Sequence, residues 1–467
     1  MRPATVAELR AVGYPDRTVK EELRANLITR LQGGRPLLPD VVGFEDSVVP
    51  DLERGILAGH DLVLLGERGQ AKTRIIRRLA DLLDEAAPAV AGCEVNCHPY
   101  HPVCSRCRQL LAERGEDLPV AWVGRDQRFS EKLATPDTSV GDLIGDVDPI
   151  KVAEGRHLGD ELTIHYGLVP RTNRGIFAIN ELPDLPERIQ VALLNVLEER
   201  DVQVRGYKLR LPLDLMLVAT ANPDDYTNRG RIISPLKDRF GTQVRTHYPQ
   251  RIDQEIAIAR QESTTPPPGV DVRVPRFLEE VLAELTRQLR TSSQVNQRSG
   301  VSVRYTIGGR ETLVAGAVRR AVRAGETEAV PRPVDLWAVV PAALGRVEFD
   351  TFEEGREEEI VARLLRHSIL TVWRRRLGRE QLAPLVARFD RGLMVETGDT
   401  MSAVAFLEQF GDRVQGLARL MQRLDVPAES PGAAASALEF ALEGLHLAKR
   451  LNKEDSGVPG GYRFSAA

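Results

Sequence analysis

The chain has 467 residues, a formal net charge of -4 and a hydrophobic fraction of 42%. That length exceeds one ordinary core and implies two or three domains, while the acidic balance argues against a non-specific polyanion binder. No run approaches eighteen consecutive apolar residues and the amino terminus is charged from Arg2. Neither a membrane span nor a secretory signal is expected, and the expected location is cytoplasmic.

Residues 1–40 contain one amphipathic helix over "RTVKEELRANLITRL", with Leu23, Leu27 and Leu31 on one face. A core over 41–262 follows. It opens with loop, helix and loop, then a buried strand, Leu62–Leu65, a glycine-rich turn and a helix. A cysteine-rich insertion (92–118), a strand "VAWVG" and a polar insertion (about 133–174) come next. "GIFAINELPDL" reads as a buried strand feeding a helix, "DVQVRGYKLRLP" as a hairpin around Gly206, and "DLMLVATANPDD" as a further buried strand. Continuously apolar strands separated by helices imply a parallel sheet covered on both faces, an α/β core. The Pro-rich linker at 263–272 begins a helical segment (263–347), and a helical carboxy-terminal region of unassigned role occupies 348–467.

"GERGQAKT", Gly66 to Thr73, lies between that first strand and its helix. A strand ending in such a turn at a helix amino terminus makes a nest of backbone N–H groups suited to phosphate. Gly66 and Gly69 suit positive φ, Lys72 suits the β and γ phosphates of ATP, and the Thr73 hydroxyl suits Mg²⁺. Glu67, Arg68, Gln70 and Arg74 complete the binding segment. Ala71 stands where the P-loop pattern has glycine, and its methyl is prohibitive only if the residue needs φ above zero. Lys72 is one of only eight lysines in the chain. The competing reading is a fortuitous glycine turn.

Three further segments test it. Asn180 and Glu181 end an apolar strand where Asp-Glu is usual: the first holds the Mg²⁺ water shell and the second is the candidate catalytic base. Asn180 accepts a hydrogen bond from a metal-bound water but brings no charge. The alternative for Glu181 is a helix cap. Asn222 is placed as a sensor orienting the same water. Arg239 is the candidate arginine finger and Arg231 its rival, the alternative being an intrachain ion pair with Asp238 or another acid.

All four cysteines, Cys93, Cys97, Cys104 and Cys107, fall in one C-x3-C-x6-C-x2-C stretch that also contains His98 and His101. Soft ligands at that spacing suit a structural tetrahedral Zn²⁺, with reduced thiols or a redox-switched disulfide as the alternatives.

With these residues in this order, the chain resembles the AAA+ ATPases over about residues 20–330. It is most similar to the branch holding MoxR proteins and the ATPase subunit (subunit I) of magnesium chelatase. "VVGFED" looks like the linker lining the adenine pocket, which implicates Val42 and Gly43, and alanine before the P-loop lysine is familiar in MoxR-type loops. "GVSVRYTIGGRETLVAGA" looks like the lid helix with the second sensor, Arg304, or less favourably Arg310, and makes 263–347 the lid. The resemblance implies Mg-ATP hydrolysis in a ring, probably a hexamer, that remodels or activates a partner. It implies a separate von Willebrand factor A domain protein as that partner, since "GDTMSAV" does not match that domain's metal motif. The alternative is a nucleotide-dependent assembly scaffold with little turnover. A DNA helicase lacks support, and nucleic acid is not an expected partner.

Overall fold

The computed structural model describes residues 2–148, 150, 153, 163–198, 201–204, 207–223, 232–296, 299–377, 382–411, 416–457 and 460–467. Two compact units divide them, Met1–His247 and Tyr248–Ala467. Among the described residues no helix is long and apolar enough to cross a membrane.

In the first unit, five strands form one all-parallel sheet: β1 (Leu62–Leu65), β2 (Phe129–Leu133), β3 (Gly175–Asn180), β4 (Leu215–Ala221) and β5 (Thr242–Arg245). Their spatial order is β5-β1-β4-β3-β2. Strands β1, β3 and β4 are buried at every position. Successive side chains point to opposite faces, so each strand feeds two cores. Leu62 and Leu64 meet Leu23, Leu27, Ile75 and Ile76 on one face, and Val63 and Leu65 share the other with Phe177, Ile179 and Leu217. Each such side chain contributes roughly 1.5–3 kcal/mol by leaving water. The expected α/β architecture is present, with β1, β3 and β4 where the apolar runs place them.

Two details differ from the sequence reading. "VAWVG" is a strand, Val120–Gly124, but it pairs antiparallel with Ala86–Val90 outside the main sheet. The second core strand is instead β2, whose charged residues Glu131 and Lys132 disguise it. The expected amino-terminal helix is Val19–Gln32, but a short helix, Val6–Ala11, precedes it; Val19–Gln32 is capped by Thr18 and Glu21 and buries Leu23 and Leu27, whereas Leu31 is 38% exposed and lies off the packed face. The hairpin Asp201–Val204 with Tyr207–Arg210 forms as expected; its tip, Gly206, lies outside the described residues.

The helix Val19–Gln32 is fastened by a buried ion pair. Arg128 donates to both Glu22 carboxylate oxygens (2.8 and 2.6 Å) and to the Arg174 carbonyl, while Asp84 N–H donates to Glu22 as well. Their side chains are 2% and 5% exposed. Removing one partner leaves an uncompensated buried charge. Glu22→Ala is therefore expected to lower the unfolding free energy of this unit by about 3–5 kcal/mol in a denaturant titration.

The second unit packs the helices Arg276–Thr291, Arg304–Ala324, Glu357–Arg376 and Pro431–Leu447 around an apolar core containing Phe277, Trp373 and Phe440. It also carries a small antiparallel sheet, Val395–Gly398, Leu451–Asp455 and Gly461–Ala466, with the last strand in the middle. No sequence pattern pointed to that sheet.

Candidate nucleotide site

The loop Gly66–Ala71 leaves the carboxyl end of β1 and enters the helix Lys72–Leu79. Gly69 has φ +77, as a phosphate nest requires. Gly66 does not need positive φ; a Cβ there would sit 1.8 Å from Thr246 Oγ1 and 2.3 Å from Gln70 Oε1. Close approach, not conformation, demands that glycine. Gln70 is buried and braces the loop, its Oε1 accepting from Glu67 N–H (3.1 Å) and from the Thr246 hydroxyl (2.8 Å). Lys72 is buried, and its ammonium donates to the carbonyls of Gly66 and Glu67.

Ala71 has φ +56 and ψ +14, the left-handed region that the sequence reading had named as its difficulty. A non-glycine residue there carries about 1–2 kcal/mol of strain. Ala71→Gly is accordingly expected to raise the unfolding free energy by about 1 kcal/mol, read by denaturant titration. The surroundings hold the alanine in place: its methyl packs on the apolar cluster that includes Val41 and Phe44. Those two residues flank Val42 and Gly43, and Gly43 has φ +92. Thr73 lies in the first helical turn, Arg74 faces Asp40 at 3.4 Å, and Arg68 is exposed.

The neighbouring strands deliver the other candidates to the same edge of the sheet. Asn180 is the last residue of β3, Glu181 follows it, and Asn222 follows β4. Gly66 N–H donates to the carbonyl of Ala221 (3.1 Å), so the phosphate loop and the residue before Asn222 touch. Glu181 is half-buried with φ +55, a second left-handed non-glycine residue beside this site. Its N–H donates to Thr220 Oγ1 (2.9 Å), and that hydroxyl lies 3.4 Å from Asn180 Oδ1. Asn180 Nδ2 donates to Glu131 Oε1 (2.5 Å), a residue of β2 that sequence reasoning missed. Buried Asn222 Oδ1 accepts no hydrogen bond from any described residue. An orphaned acceptor at the carboxyl edge of a parallel sheet is suited to a ligand or its water.

Arg239 does not join this constellation. It is exposed at the end of the helix Ser234–Arg239 and lines a cavity of about 190 Å³ with Lys20, Asp61 and Asp214, at the opposite, amino-terminal edge of the strands. Its rival Arg231 lies outside the described residues. Arg304 and Arg310 belong to the second unit. Arg304 is exposed at the start of its helix, whereas Arg310 is held by Glu279 (3.0 Å).

The cysteines form a second candidate site. Their four sulfurs lie within 4.8 Å of one another, and Cys93 Sγ to Cys104 Sγ is 3.9 Å. Four thiolates at 2.3 Å from one Zn²⁺ stand about 3.8 Å apart, whereas a disulfide needs about 2.05 Å. Backbone N–H groups of Cys97, Val103, Cys104 and Cys107 point at the sulfurs at 3.3–3.5 Å. Hydrogen bonding among the four sulfurs splits their pKa values: Cys93 and Cys104 are held below the ordinary thiol value by their cysteine neighbours, whereas Cys97 and Cys107 are pushed up by theirs. So many thiols in one place cannot all ionise without a cation among them. The donor set fits Zn²⁺. His98 and His101 stand apart: His98 is buried, which lowers its pKa to about 3, and His101 pairs with Asp16 (2.7 Å).

Residues 153–237 match the family model described as the Sigma-54 interaction domain. The magnesium-chelatase subunit ChlI of Anabaena variabilis is 28% identical over 229 residues, 48% of this chain and 62% of that one. A ChlI homolog of Methanocaldococcus jannaschii is 30% identical over 196 residues, 39% and 47% of the two chains. Together these likenesses support an AAA+ ATPase of the magnesium-chelatase subunit I and MoxR branch. The chain spans about half the length of the curated relatives it matches. Solved structures similar to it include a putative ATPase of Cytophaga hutchinsonii (17% identity, 77% of this chain and 98% of that one, TM-score 0.32). A complex of subunits BchI and BchD of magnesium chelatase is another (21%, 70% and 98%, TM-score 0.34).

Proposed function

We propose that the chain is a Mg²⁺-dependent ATP hydrolase that works as a ring oligomer, a hexamer, to remodel or activate a partner protein. The observation that carries this reading is the convergence of the Gly66–Thr73 loop, Asn222 and Asn180-Glu181 at the carboxyl ends of three adjacent strands, β1, β4 and β3. Lys72 and the loop N–H groups hold the phosphates, and Thr73 and Asn180 hold Mg²⁺ and its water shell. Mg²⁺, when bound, neutralises charge on the phosphates. Glu181 takes the proton of the attacking water and Asn222 orients that water. Because Arg239 sits at the far edge of its own sheet, it serves as an arginine finger for a neighbouring copy. Arg304 closes a lid, 263–347, over the nucleotide.

The cysteine cluster holds a structural Zn²⁺ in this reading, and the partner is a separate von Willebrand factor A domain protein. Phosphate release from the purified protein with ATP and Mg²⁺, with Lys72→Ala as control, tests the proposal. A rate above background that Lys72→Ala abolishes is expected; no Mg-ATP binding overturns it. A second reading, an ATP-dependent scaffold with little turnover, draws on Asn180 being uncharged; tight binding with negligible phosphate release favours it.

A further inference from the structure

The amide of Asn180 faces a carboxylate on the neighbouring strand. Asn180 Nδ2 donates to Glu131 Oε1 at 2.5 Å, and Arg77, on the helix after the phosphate loop, grips the same carboxylate with its Nε (2.7 Å) and Nη2 (3.2 Å). A carboxylate only accepts hydrogen bonds, so it fixes which end of the amide faces it. The nitrogen is turned toward β2. Oδ1 is turned toward Thr220 on β4, the strand between β3 and the phosphate-loop strand. Thr220 also accepts from Glu181 N–H, so one chain of polar contacts runs from Arg77 through Glu131, Asn180 and Thr220 to the backbone of the candidate base.

We propose that Glu131 is a positioning residue for the Mg²⁺ site, orienting the Asn180 amide so that Oδ1 faces the metal water shell, and that positions 131 and 180 are coupled. An aspartate at 180 places two carboxylates in contact, and two such groups cannot both stay ionised there. An aspartate is accommodated once residue 131 is an amide, because the polarity of the pair is then simply reversed. Asn180 is thus the complement of Glu131, with the local negative charge displaced by one strand. This inference rests on the nucleotide reading above.

The test is a cycle of parent, Glu131→Gln, Asn180→Asp and the double variant, reading the Mg²⁺ half-saturation of ATP hydrolysis, or of fluorescent ATP-analogue binding if turnover is slow. Each single change is expected to weaken Mg²⁺ half-saturation. The double is expected to recover to the parent value or better, a departure from multiplicativity of about tenfold or more. Multiplicative effects, or an Asn180→Asp variant that alone tightens Mg²⁺ as much as the double, overturn the proposal while leaving the nucleotide reading intact. A parent protein that binds no Mg-ATP overturns both. Should Asn180→Asp fail to fold alone, the double variant decides: folding with parent-like Mg²⁺ dependence supports the coupling, and failure to fold refutes it.

Discussion

Glu181→Gln is expected to bind Mg-ATP with about the parent affinity and to release phosphate roughly 10²–10⁴-fold more slowly, the range that a positioned general base supplies. The substitution keeps shape and hydrogen-bonding capacity while removing the basic oxygen. The backbone N–H of residue 181 still donates to Thr220 whatever side chain it carries, so the loop geometry survives. Glu181 sits at φ +55, and glutamine tolerates that conformation no worse than glutamate does. Loss of turnover is therefore separable from loss of structure. Steady-state phosphate release beside a fluorescent nucleotide titration makes the comparison. Parent-like hydrolysis by the variant removes Glu181 from the role of base and leaves Asn222 and the loop as a binding site.

How far the sequence reached into this site depended on burial. Strands β1, β3 and β4 are covered on both faces, so their sequences are uninterrupted apolar runs, and the polar residues at their ends, Asn180, Glu181 and Asn222, stood out. Strand β2 is partly or fully exposed along its length and carries Ser130, Glu131 and Lys132, so it went unassigned between "VAWVG" and the polar insertion. Missing β2 meant missing Glu131, and Asn180 then looked like a deficiency with no counterpart. Val120–Gly124 shows the converse: its apolar run announced a strand, but nothing local says which partner a strand takes. The loop shows a third limit. Glycine at 66 is required by Thr246 and Gln70, the first of which is distant in sequence, and the left-handed conformation of Ala71 is enforced by tertiary packing.

Removal of metal from the cysteine cluster is expected to be the largest single perturbation of the first unit. Protein purified without chelator should carry about one Zn²⁺ per chain by elemental analysis, and thiol titration of the native protein should find all four cysteines protected. Within the segment, the helix Ser105–Arg114 depends on the cysteines: it is capped by Cys104 and buries only Cys107. Structural zinc binding is worth on the order of 10 kcal/mol or more in small modules, and that free energy becomes folding free energy. Cys97→Ser or Cys107→Ser is therefore expected to abolish zinc retention and open 92–118 to limited proteolysis. The damage should spread, because Cys97, Cys104 and Cys107 share an apolar core with Val63, Leu65 and Ile179. Asn173, two residues before β3, donates to the Val95 carbonyl (2.9 Å), and Asn96 donates to the Arg171 carbonyl (2.8 Å). Those bonds tie the cysteine loop to the strand that ends in Asn180-Glu181, so loss of zinc should also weaken nucleotide binding. Unaltered thermal stability in zinc-free protein, with four freely titrating thiols, refutes the metal assignment.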